Sequence, residues 1–147
     1  MKVFARFLIA LAFAAIPLSG LAQPNYTNVS VYRVTKIRIL AGKNSEFYRS
    51  FAWAPKVLQA EKEAGLLLDY KIFHSVNYEG VDKWDVMLVV HYKNMAAFDT
   101  NPAAAGPIVA KVYGTPEKQA EVVRLRDESS ETVSSELVRE IELKAQN

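Results

Sequence analysis

The chain has 147 residues, half of them hydrophobic, with 18 Lys and Arg against 16 Asp and Glu and no cysteine. The missing thiol excludes a disulfide framework, a thiolate metal site, a cysteine nucleophile and a lipid-anchored cysteine. A near-neutral balance without a basic run excludes the Lys/Arg-rich face that nucleic-acid phosphates demand, and equally an electrostatic hold on a membrane surface.

Residues 1–22, MKVFARFLIALAFAAIPLSGLA, place Lys2 and Arg6 ahead of an apolar run from Phe7 to Ile16, then Pro17 and the small residues Ser19, Gly20 and Ala22. This is the pattern of a secretory signal peptide cleaved before Gln23, and it implies a secreted or periplasmic protein. An uncleaved anchor is the competing reading. The apolar run is shorter than the roughly 20 residues that span a bilayer, and Pro17 interrupts its end. Taking these 22 residues from 147 leaves 125, with 16 charges of each sign, so the apparent basicity belongs to the leader. A mature chain of that length makes one domain, here bounded at 29–143, held by packing alone.

Val29–Leu40 (VSVYRVTKIRIL) alternates β-branched and polar residues and predicts a first strand. Ala41 to Asn44 supply turn chemistry, and Ser45 is the expected N-cap of a helix running toward Gly65. Phe47, Phe51, Ala54 and Leu58 give that helix one apolar stripe. Pro55 removes a helix hydrogen bond and crowds the preceding turn, which predicts a kink or short break near Ala52–Pro55.

Leu66–Val76 and Trp84–Tyr92 read as an antiparallel hairpin joined by the polar stretch Asn77–Lys83. The run Val86–Val90 is apolar without alternation, so this strand is expected to be central and covered on both faces. Asn94 caps a short helical pattern, MAAFD, ending before Pro102; the Ala/Gly/Pro-rich stretch after it reads as an irregular loop or a bent helix. Thr115 and Pro116 mark a helix start, and the helix is expected to run through EKQAEVVRLRDESSETV. Leu137–Leu143 fits a strand or an amphipathic helix, with the Ser cluster upstream favouring a strand.

The order strand, helix, strand, strand, helix, strand is the ferredoxin-like arrangement, an α+β class fold with a four-stranded antiparallel sheet. The segments VTKIRILAGKNSEF, Gly65 followed by LLLDYKIF, and WDVMLVVHYKNMAAFD resemble the dimeric α/β barrel superfamily, which includes NIPSNAP-like, stress-responsive and antibiotic-biosynthesis-monooxygenase-like domains. The resemblance covers nearly the whole mature chain, and it implies a homodimer in which two sheets pack face to face. A monomer with unusually apolar strands is the alternative.

The two histidines, His74 and His91, fall one on each hairpin strand. With Ser75 opposite Trp84, the hairpin register sets His74 opposite Asp85 and His91 opposite Leu68. The imidazoles are then roughly 20 Å apart at about 3.3 Å per residue, too far to share a metal. His74 oriented by Asp85 is the candidate general base, and a surface hydrogen bond is the bland reading of the same pair. Some members of the superfamily degrade haem with an Asn, Trp and His set whose His lies in the second helical segment. This chain has no histidine between Asn94 and Val133, so haem ligation in that mode is not expected, and neither is any other cofactor or metal. Tyr48, Phe51 and Trp53 beside Pro55, together with Tyr70, are the candidate ligand-binding aromatics, although aromatics at such spacing more often pack a core. Two N-x-S/T triplets, at Asn25 and Asn28, matter only in a glycosylating pathway.

Three functions follow: binding of a small, largely apolar molecule between helices and sheet; cofactor-independent oxygenase or isomerase chemistry on the same fold; or a non-catalytic structural or partner-binding module.

Overall fold

The computed structural model describes residues 25–77 and 79–145; the leader segment 1–22 lies outside them. In chain order the elements are β1 (Tyr26–Ile39), α1 (Asn44–Phe51), α2 (Ala54–Glu63), β2 (Asp69–His74), β3 (Val86–Tyr92), α3 (Met95–Tyr113), α4 (Pro116–Asp127) and β4 (Ser130–Leu143). The strands form one antiparallel sheet in the order β2-β3-β1-β4. This is the ferredoxin-like order, and among the described residues the four helices all connect strands.

Alternation along the central strands sorts side chains onto two faces. Val31, Arg33, Thr35 and Ile37 of β1 share a face with Val86, Leu88, Val90 and Tyr92 of β3, and the helices cover it. Tyr32, Val34, Lys36 and Arg38 share the other face with Met87, Val89 and His91, and among the described residues no helix lies over it. The non-alternating run in β3 thus serves both faces: Val86 and Val90 are 2% and 4% exposed beneath the helices, whereas Met87 and Val89 are half-buried on the open side.

The helix layer packs onto the sheet as two apolar clusters. Phe47, at 0% exposure, sits with Ile37 and Val86, flanked by Ile39 and Phe51; Leu58, Leu67, Val90 and Tyr92 form the second cluster with Tyr70, Leu88 and Phe98. Burying the Phe47 ring alone contributes roughly 1.5–3 kcal/mol.

The expected break at Pro55 is present. α1 ends at Phe51 and α2 starts at Ala54 with Pro55 in its first turn. Pro55 brings no N–H to the Phe51 carbonyl, while Ala52 and Trp53 donate to Tyr48 and Ser50 at 3.0 and 3.1 Å, so the chain bends without unwinding.

Other boundaries differ from the expectation. Lys43, not Ser45, occupies the N-cap of α1, and no side chain caps that helix. The expected short helix after Asn94 is instead one helix of 19 residues that carries Pro102 and Pro107 inside it, the bent-helix alternative. The Asn94 side chain accepts the Ala97 N–H as a cap, and Gly114, at φ 81°, ends the helix in a conformation that a side chain would strain.

α4 stops at Asp127, and the expected helical tail is strand. Ser129 and Ser130 turn their hydroxyls back onto the Leu125 and Arg126 carbonyls, which closes the helix. The 14-residue β1 then offers backbone partners along the whole of β4 from Ser130, with register shifts after Asn28 and after Lys36. Paired ladder bonds outweigh the weak helical preference of a Ser-rich segment. β1 likewise starts at Tyr26, three residues before the expected Val29. Among the described residues no helix is long and apolar enough to cross a membrane.

Candidate functional site

Beside the α1–α2 break, residues of both apolar clusters border one space. A cavity of about 500 Å³ lies between them, within the range of small-molecule sites. β1 contributes Thr35 and Ile37 to its lining, α1 Ser50 and Phe51, α2 Ala54, Val57 and Leu58, and β3 Leu88. Val109 and Tyr113 of α3, Val122, Arg126 and Asp127 of α4, and Ser130 and Thr132 of β4 complete it.

The lining is apolar toward α2 and β3 and polar toward the end of α4 and the start of β4. Several of the polar groups are already used. Ser50 Oγ donates to the Phe47 carbonyl at 2.8 Å, and Ser130 Oγ to the Arg126 carbonyl at 2.9 Å. Arg126 Nε and Nη2 both reach Asp127 Oδ1 at 3.2 Å. The Tyr113 ring stacks on Trp53 at a centroid distance of 5.1 Å, and burial pushes its hydroxyl above the ordinary tyrosine range, with the Arg126 charge opposing. Lys56 Nζ lies 4.3 Å from the Trp53 ring centroid and Lys118 Nζ 5.8 Å.

The candidate residues distribute unevenly around this cavity. Phe51 lines it. Trp53 supports it through Tyr113. Tyr48, Phe51 and His74 come together in a shallower depression of about 270 Å³ beside Pro55, with Ile72 and Val86. Tyr70 joins the Leu58 cluster and donates its hydroxyl to the Pro55 carbonyl at 3.3 Å, pinning the break.

The pairing of His74 with Asp85 is corrected. His74 stands opposite Val86 and His91 opposite Asp69, one residue from the assumed register, and a one-residue slip changes every cross-strand partner. The Asp85 carboxylate instead accepts the Ile39 backbone N–H at 2.7 Å, across on β1. His74 shares the helix-covered face with Val86, and His91 lies on the open face, five positions along and on the other side of the sheet.

Tyr113, Arg126 and Thr132 were not among the sequence candidates. A signal existed in β1, where alternation puts Thr35 and Arg33 on the same inward face as Val31 and Ile37. Polar residues on a covered face announce either a partner or a cavity.

A second polar cluster lies on the covered face. Glu61 of α2 is 7% exposed, Asn101 of α3 donates to it at 3.3 Å, and Arg33 sits with its guanidinium carbon 4.8 Å from the centroid of the Phe98 ring. Burial raises the Glu61 carboxyl above its ordinary range, opposed by the Asn101 hydrogen bond and the Arg33 charge.

The open face carries its own network. Ser30 and Tyr32 donate to Glu140 at 2.5 and 2.9 Å, and these bonds, with the nearby His91, hold its carboxyl below the usual range. The Tyr32 and His91 rings stack at 4.2 Å. His91 Nε2 and Ser134 Oγ, both on this face, are buried without a hydrogen-bond partner among the described residues.

No protein-family model and no curated protein matches the chain. Solved structures with a similar arrangement include a conserved protein of unknown function from Bacteroides thetaiotaomicron, described as a possible oxidoreductase. It is 15% identical, the match covers 77% of this chain and 99% of that one, and the TM-score is 0.43. A dimeric ferredoxin-like protein of unknown function from Bacteroides fragilis is 12% identical over 76% and 94%, with a TM-score of 0.44. A dimeric ferredoxin-like protein from an uncultured marine organism is 10% identical over 81% and 92%, with a TM-score of 0.46. Identities and scores this low transfer no activity to the chain, whose fold class rests on its own strand order.

Proposed function

We propose that the protein binds a small, largely apolar molecule in the cavity between helices and sheet, and that it works as an exported homodimer. The observation that carries the binding reading is the 500 Å³ space bordered by residues of both apolar clusters, floored by Ile37 and Leu88 and roofed by Phe51, Val57 and Leu58. It opens to solvent where Arg126, Asp127 and Thr132 are exposed, so a ligand has a way in. Binding is favoured over turnover because His74 and Asp85 have separated and neither lines the cavity.

One feature favours the homodimer: Met87 and Val89 form an apolar centre on the sheet face that no helix covers among the described residues. Export rests on the leader 1–22, and intact mass of the protein recovered from a secreting host should start at Gln23.

Isothermal titration with decanol tests the binding reading. The protein should bind decanol, and Val109→Trp, which places an indole in the cavity, should abolish binding with the circular dichroism spectrum unchanged. An intact protein that takes up no decanol overturns the reading.

A further inference from the structure

Resting on the reading of the cavity as a ligand site, the geometry points to a ligand class: an amphipathic carboxylate, its hydrocarbon body against Val57, Leu58 and Leu88 and its carboxylate at Tyr113, Arg126 and Thr132. The two ends of the cavity differ in what they leave unsatisfied. The α2 and β3 side offers carbon alone. The α4 and β4 side holds donors in excess. The Tyr113 and Thr132 hydroxyls make no hydrogen bond among the described residues, and Arg126 spends only its Nε and Nη2 edge, on Asp127. Its Nη1 group and the end-on edge between Nη1 and Nη2 have no partner there. That edge presents two parallel N–H groups whose spacing matches the two oxygens of a carboxylate.

Asp127 does not cancel this preference. It is the adjacent residue, its side chain is 62% exposed, and both its bonds to Arg126 are 3.2 Å long. Such a solvated pair holds the guanidinium weakly. A ligand carboxylate at the cavity end meets the same cation from its vacant edge. Lys56 over the Trp53 ring, which backs Tyr113, adds a further positive charge around that end, whereas Lys118 is paired with Glu121 at 2.9 Å. An alcohol or hydrocarbon of the same length would satisfy the apolar side and leave the Arg126 guanidinium, 52% exposed, to water, gaining no charge-assisted bond.

The test compares decanoate with decanol by isothermal titration near neutral pH, on the full chain. Decanoate should bind about tenfold tighter, the difference a charge-assisted hydrogen-bonded pair supplies. Arg126→Gln should erase that preference by weakening decanoate, and Tyr113→Phe should reduce it severalfold. Equal affinity for the two probes, or a preference that survives Arg126→Gln, overturns the carboxylate inference while the cavity reading stands. Binding of neither probe overturns the cavity reading itself, and the inference with it. Circular dichroism and a urea midpoint for each variant separate a lost contact from a lost fold.

Discussion

The Asp85 carboxylate accepts the backbone N–H of Ile39 at 2.7 Å and so ties the entry of β3 to the end of β1. The Asp85 N–H donates to the Ile37 carbonyl at 2.8 Å, making the link double. A half-buried N–H that loses a charged acceptor is left to an imperfect substitute, so Asp85→Ala should cost about 1–3 kcal/mol in urea denaturation. Asp85→Asn, which keeps an oxygen in place, should cost less. His74→Ala should barely move the same midpoint, because the His74 side chain is exposed and has no bond to Asp85. A His74 variant as unstable as the Asp85 variant would restore the pair that the register separates.

Adjacent valines on β3 separate the two faces of the sheet. Val90 is 4% exposed beneath the helices, so Val90→Asp buries an unpaired charge in the Leu58 cluster and should unfold the protein. Val89 lies on the open face beside Met87, and Val89→Asp should leave a folded chain that no longer self-associates. Light scattering and circular dichroism together report both outcomes. A wild-type protein that is monomeric at micromolar concentration removes the homodimer.

Glu61 gives the pH dependence a distinct sign. Burial raises its carboxyl in the folded state, so between the ordinary carboxylate pKa and the raised value the folded protein keeps a proton that the unfolded chain has lost. Stability therefore falls as pH climbs through that window, and the penalty is complete above it. Glu61→Gln should be more stable than wild type near pH 7 and should lose that advantage near pH 4, where both carry a neutral side chain. Glu140, held below the usual range by Ser30 and Tyr32, changes stability with the opposite sign but identically in both proteins, so the difference isolates Glu61. An advantage that is the same at both pH values would show that Glu61 is not the titrating group.

The amino-acid sequence by itself determined the strand and helix order, the break at Pro55, the caps at Asn94 and Thr115, and the two-faced character of Val86–Val90. These depend on local backbone chemistry and on side-chain periodicity, which are written in neighbouring residues. Tertiary structure alone decided the rest. Pro102 and Pro107 persist inside α3 because the helix packs on α2 and the sheet, and Ser130 leaves the helical pattern because β1 is long enough to pair with it. Periodicity limits His74 to one of two faces but does not choose its partner, because a hairpin register slipped by one residue keeps every strand and exchanges every cross-strand neighbour. The cavity is decided later still. Phe51, Tyr113, Arg126 and Thr132 come from four elements as much as 81 positions apart in the numbering, and only the packing of helices over the sheet brings them around one space.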